Sequence, residues 1–227
     1  MSVRIRRAML AASCLVLSTV VLPLGWAWTV GTEPARAAGV IVDESKTERL
    51  TPKAMAETGT GVVTGNPEGD VTLVEYFDYQ CPVCRQVHPD VQALVAEDGN
   101  IRVVHKHWPV FGEASVLAAR LALAARWQGV YDEVHHALMS ATGKLTEENV
   151  RETAKKAGLD LKRAEADLAD RADEVATRLQ GVATEADRMG LRGTPAFLVG
   201  NFFVPGGPDR DAFDTMVEAV RKGEDTL

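Results

Sequence analysis

The sequence predicts an α/β fold in which an all-helical block is inserted between two strand-bearing segments. Three observations point there. A β-branched and aromatic run, Val71 to Phe77, feeds directly into a stretch with helical apolar spacing. From Ser115 to about Met189 the chain is rich in Ala, Leu and charge, again at helical spacing. Two short apolar runs, Ala196 to Val199 and Phe202 to Val204, then flank Gly200-Asn201, a hairpin turn signal.

The elements follow in order. Residues 1–37 differ from the rest: Arg4, Arg6 and Arg7 open the chain, Met9 to Trp28 is apolar and almost uncharged, and Ala35-Arg36-Ala37 has the small-residue pattern of a cleavage site. This reads as an export signal, with an uncleaved membrane anchor as its rival. Cys14 lies inside the segment and reads as one more small apolar residue. Residues 38–64 read as an N-terminal arm, within which Val42 to Gly59 is polar and reads as extended or as a short helix. Gly65 to Asp70 is a turn-rich lead-in to the strand at Val71–Phe77. After Cys81, apolar residues recur at Val87, Val91, Leu94 and Val95, which places His88 on the outer helix face. Pro82 suits a first helical turn, where its missing N–H costs nothing. Ile101 to Lys106 reads as a second strand. The helical block should hold four or five helices, with breaks near Gly129, Ala141–Gly143, Gly158 and Gly181 and N-caps at Thr146 and Asp160. Asp209 to Lys222 closes the chain as an amphipathic helix.

Composition narrows the function classes. Hydrophobic residues make up 46% of the chain and charged residues 25%, enough apolar material for one sizeable core. Residues 1–37 carry four Arg against one Glu, so the remainder has 21 basic and 31 acidic side chains, a net of −10. So acidic a domain, with no basic patch interleaved with aromatics, argues against binding nucleic acid.

Beyond residue 37 only Cys81 and Cys84 remain, and three readings of C-x-x-C compete. A structural staple gains little, because a disulfide stabilises in proportion to the loop it closes and this loop is nearly nil. A copper or zinc site would need further ligands; there is no second C-x-x-C, and His88, His105, His107, His135 and His136 read more simply as surface or packing residues. A redox pair fits an exported chain, where thiols can be oxidised. Cys81 then sits at a strand-to-helix junction, exposed at the positive end of the helix dipole, where a thiolate is favoured. Cys84 lies one turn behind it.

With Phe77-Asp78-Tyr79-Gln80-Cys81-Pro82-Val83-Cys84, Gly193-Thr194-Pro195-Ala196-Phe197 and Glu75 six residues before Cys81, the chain resembles the DsbA-like exported thiol–disulfide oxidoreductases. The resemblance implies a thioredoxin-like fold with an inserted all-helical domain: residues 65–111 and 190–227 form the thioredoxin-like part and 112–189 the insertion. It implies a redox-active Cys81–Cys84 disulfide, tuning of its potential by Pro82 and Val83, a cis bond before Pro195 that sets the Thr194 backbone against client chains, and Glu75 as acceptor of the Cys84 proton. Val83 stands where the strongly oxidising members carry histidine, so the Cys81 thiol should have a higher pKa, and the disulfide a less oxidising potential, than theirs.

The activity implied is transfer of disulfides to client proteins bearing thiols, outside the cytoplasmic membrane in the periplasm or cell exterior. No cofactor or metal is called for, and a membrane protein linked to quinones would reoxidise the pair. The reverse direction, as disulfide isomerase or reductase, stays open; such relatives usually assemble through an N-terminal segment, and the short one here favours oxidase and monomer. A metal-carrying periplasmic protein and a non-catalytic chaperone on the same fold are the other classes.

Overall fold

Burial divides strand β2 (Val71–Phe77) into two faces, and the rest of the molecule is arranged around them. The computed structural model describes residues 52–224, with side chains from residue 54, all within one unit, Asp43–Leu227. The expected export segment at 1–37, Cys14 and most of the 38–64 arm lie outside the described residues. Among the described residues no helix is long and apolar enough to cross a membrane.

Helix α1 (Pro52–Glu57) and strand β1 (Val62–Gly65) precede β2. Helix α2 (Pro82–Asp98) and strand β3 (Ile101–His107) follow it, and then the helical block, α3 (Glu113–Gln128), α4 (Tyr131–Met139), α5 (Glu147–Lys156), α6 (Leu161–Asp170) and α7 (Ala172–Arg188). Strands β4 (Ala196–Val199) and β5 (Phe202–Pro205) and helix α8 (Arg210–Arg221) complete the fold. The five strands are ordered β1-β3-β2-β4-β5, with only β2 and β3 parallel.

On one face of the sheet Val71, Leu73, Ile101, Val103 and Phe197 pack against Val87, Val91 and Leu94 of α2 and Phe213 and Met216 of α8. On the other, Val74, Tyr76, Val104 and Leu198 pack against α1 and against Val182 and Ala186 of α7. A third apolar cluster joins Phe77, Tyr79, Cys81 and Cys84 to α3, α4, α5 and α6.

Two expectations are corrected. Residues assigned to the N-terminal arm form β1, whose pairing with β3 runs from Val62↔His105 to Gly65↔Arg102. No break falls at Gly181, which lies inside α7; a Cβ there would come within 2.7 Å of Thr60 Cγ2, so glycine is what lets the segment before β1 lie against the helix. Thr146 and Asp160 do cap α5 and α6, accepting from the backbone N–H of Asn149 and Arg163.

Candidate active site

Local chemistry dictates where Cys81 ends up. Strand β2 stops at Phe77, and the Asp78 carboxylate folds the next residues into a loop by accepting from the backbone N–H groups of Gln80 (2.7 Å), Val110 (2.6 Å) and Phe111 (3.0 Å). Arg85 reaches back to donate to the Tyr79 carbonyl at 2.6 Å. Helix α2 then begins at Pro82 with Cys81 as its N-cap, in extended backbone, and its Sγ accepts from the Cys84 N–H at 3.4 Å. The cap residue thus carries the sulfur to the positive end of the helix, where free N–H groups collect.

The second half of the site comes from the loop before β4. The Thr194–Pro195 peptide bond is cis, and the Thr194 carbonyl accepts from Cys81 Sγ at 3.2 Å. The Thr194 hydroxyl is buried with no hydrogen-bond partner, which leaves it available to a thiolate. Both cysteines are free thiols and both are buried. Cys81 shows only 2% of its surface, where the sequence had suggested an exposed sulfur; the Thr194 loop lies against it.

The two thiols are made unequal by their surroundings. Hydrogen bonds from the Cys84 thiol, from Thr194 and from backbone N–H groups bring Cys81 down to about 6, against the opposing effect of burial. Burial pushes the Cys84 thiol far up, aided by its bond to Cys81 and by the nearby Glu75 carboxylate. Because the folded-state pKa of Cys81 is depressed, the thiolate's contribution to stability is complete above the ordinary thiol pKa and is lost as pH falls through about 6. Iodoacetamide should therefore modify Cys81 of the reduced protein with a midpoint near pH 6 and leave Cys84 untouched; a midpoint at the ordinary thiol value of about 8.5 would contradict this geometry.

Glu75 lies on β2 beneath the cysteines and is 1% exposed. Its cross-strand neighbour is His105, with Nδ1 3.4 Å from Oε2. Lys106 points to the opposite face and bonds Glu185 at 2.9 Å. Pro82 and Val83 are exposed on the first turn of α2. Trp108 packs against the core on the α7 side of the sheet, and Arg192 is exposed.

His88 is not on the outer face: it is 2% exposed, burial lowers its pKa to about 4, and its Nε2 lies 3.0 Å from His136 Nδ1. Sequence reasoning missed the Asp78, Gln80 and Arg85 loop contacts and the burial of four of the five histidines. The available signal was alternation: His105 and His107 share one face of β3, directly beside Glu75 and Phe77 in the parallel register. Among the described residues, no group of three potential metal ligands includes Cys81 or Cys84.

The family model for the DSBA-like thioredoxin domain matches residues 72–218. A thioredoxin-like oxidoreductase from Silicibacter pomeroyi DSS-3 is 41% identical, superposes with a TM-score of 0.71 and covers 76% of this chain and 98% of its own. The thiol–disulfide exchange protein α-DsbA2 from Wolbachia pipientis is 26% identical with a TM-score of 0.70, covering 74% and 91%. The Na(+)/H(+) antiporter NhaA 1 of Salinispora arenicola is 37% identical over 139 residues, 60% of this chain but 21% of that protein. The chain thus spans about a fifth of the length of the first curated relatives it matches. The family match takes in both cysteines, the Thr194–Pro195 loop and the helices between them. The chain belongs to the DSBA-like thioredoxin domain family of thiol–disulfide oxidoreductases.

Proposed function

We propose that this chain is an exported oxidase of client thiols, working in the periplasm or cell exterior through a Cys81–Cys84 disulfide. The observation that carries the reading is the asymmetry of the pair: Cys81 caps the N-terminus of α2 beside the Thr194 loop, which lowers its pKa to about 6, while Cys84 is fully buried one turn behind, which raises its pKa. A client thiolate attacks Cys81 Sγ, the Cys81–Cys84 bond breaks, and Cys84 leaves and takes up a proton. A mixed disulfide joins client and Cys81. A second client thiolate then attacks the client sulfur of that bond, and Cys81 leaves as the stabilised thiolate. Two electrons pass from client to enzyme and one client disulfide forms. A membrane partner linked to quinones takes those electrons onward, so the cysteine pair itself requires no bound cofactor.

The same geometry supports a docking mode. In a disulfide, Cys81 has no proton to give, so the Thr194 carbonyl becomes free to accept a backbone N–H from an extended client chain. Pro195 fixes that loop. Exposed Val83 on α2 and exposed Val110 and Phe111, tied to the Cys81 loop through Asp78, offer apolar surface beside it. Burial holds Cys84 in its thiol form, and the bond to Cys81 and the nearby Glu75 carboxylate add to this. In this reading residues 65–111 and 190–227, now with β1, form the thioredoxin-like part, 112–189 the insertion, and the chain acts as a monomer.

Val83 bears on potential. The Cys81 value of about 6 lies between thioredoxin at about 7 and the strongly oxidising DsbA at about 3.5, which supports a potential below that of the latter. The test of direction is acid quenching of intact cells followed by alkylation trapping of Cys81 and Cys84. A mostly disulfide population is expected; a mostly dithiol population would assign the chain to the isomerase or reductase direction.

A further inference from the structure

Beneath the cysteines the polar face of the sheet meets helix α4. Glu75 of β2, His105 of β3 and His135 of α4 are 1%, 2% and 2% exposed. One ligand atom from each lies within 4.8 Å of the others, and His105 Nδ1 is 3.4 Å from Glu75 Oε2. Both Glu75 oxygens, His105 Nδ1 and His135 Nε2 are buried and make no hydrogen bond to the protein. One such orphan costs about 1–3 kcal/mol, and more when charged. Three residues that carry such orphans, with a ligand atom from each brought within 4.8 Å of the others, ask for a common partner.

The outer edges of both rings are already held. His105 Nε2 pairs with Thr64 Oγ1 at 2.9 Å, and His135 Nδ1 with the Tyr79 hydroxyl at 3.0 Å. If each outer nitrogen carries the ring proton and donates it, each inner nitrogen is left with a lone pair facing the Glu75 carboxylate. Three acceptors then face one another without a donor. Ligating histidines take this tautomer, fixed by a hydrogen bond on the far nitrogen.

We propose that Glu75, His105 and His135 form a zinc-type divalent transition-metal site that fastens α4 of the helical block to the β2–β3 core. Two imidazoles and a carboxylate are a donor set that zinc accepts. Zinc–nitrogen bonds of about 2.0–2.1 Å put tetrahedral ligand atoms roughly 3.3 Å apart, close to the observed 3.4 Å. The second Glu75 oxygen or one small ligand completes four-coordination. Exposed His136 bonds His88, whose ring lies 5.2 Å from that of His135, giving the ion a line of imidazoles from the surface inward. A carboxylate engaged by the cation is not at the same moment an acceptor for the Cys84 proton, so the two roles of Glu75 exclude each other in time.

The site does not depend on the redox reading, and the test separates them. The full chain carrying Cys81→Ser and Cys84→Ser is exchanged into zinc, freed of excess metal by gel filtration and assayed by mass spectrometry of its metal content. About one zinc per chain is expected, with a melting temperature that rises on loading and falls back with a chelator. Loaded with cobalt, the same protein should show the visible bands of a tetrahedral nitrogen and oxygen site without a thiolate charge-transfer band. His135→Gln should lose the metal while keeping its helical circular dichroism. A metal-free serine variant would overturn the proposal, leaving a trapped water as the partner. Zinc bound only when the cysteines are present would overturn it as well, and so would full zinc content in folded His135→Gln.

Discussion

Cys81→Ala is expected to reduce the oxidation of a dithiol peptide to the rate of the buffer alone, and Cys84→Ala to accumulate mixed disulfides with clients. The two outcomes differ because the two sulfurs differ. Cys81 is the one placed at the helix N-terminus beside the Thr194 loop, with its pKa lowered to about 6 by hydrogen bonds from Cys84, Thr194 and backbone N–H groups. Without it there is no sulfur for the client to reach, since Cys84 is wholly buried. Without Cys84 the first attack still has its thiolate, but nothing inside the protein can displace a bound client. Non-reducing gels of Cys84→Ala incubated with an oxidised client, and peptide oxidation by fluorescence, report the two effects. Full activity in Cys81→Ala would instead make the protein a chaperone on a redox fold.

The largest stability effect is expected away from the cysteines. Lys106 is fully buried on β3 and donates to Thr58 Oγ1 (2.6 Å), Thr60 Oγ1 (2.7 Å) and Glu185 Oε2 (2.9 Å). Glu185 also accepts from Thr60 and from the Tyr76 hydroxyl. Burial lowers the lysine's pKa, and the Glu185 bond and charge resist that shift. Lys106→Met leaves the Glu185 carboxylate buried with two hydroxyls and no cation, a loss of about 3–5 kcal/mol by urea unfolding. The pair Lys106→Met with Glu185→Leu should recover most of it, because both charges are then gone. Failure of the double variant to recover would mean that the hydroxyl network, and not the ion pair, holds α7 to the sheet.

What the sequence disclosed depended on how local the cause was. The strand–loop–helix junction at Phe77–Cys84 was legible because its signals are neighbours: a β-branched run, a proline for the first turn and apolar residues at helical spacing. The helix ends at Thr146 and Asp160 were legible for the same reason. Strand β1 was not: Val62–Gly65 is four residues long and owes its conformation to pairing with β3 some forty residues on. Gly181 misled, since a glycine inside a helix looks like a break until Thr60 is seen against it. Glu185 sits in a helix whose other charges are mostly solvated, and only β3 reveals that it is buried. The histidines failed for the deepest reason. Glu75, His105 and His135 come from three elements, and no spacing along the chain tells that α4 will lie over the β2–β3 pair.

The helical insertion also sets the order in which the site can exist. Cys81 and Thr194 are separated by 113 positions. At translation rates of about 5–20 residues per second, the first sulfur is made on the order of ten seconds before the loop that will lie against it. For that interval both thiols are present, but the Thr194 side chain, one of the groups that lowers the Cys81 pKa, is not. The nascent chain therefore carries a C-x-x-C with a less stabilised thiolate than the finished protein has. Its own folding, by bringing Thr194 home, is the step that arms it.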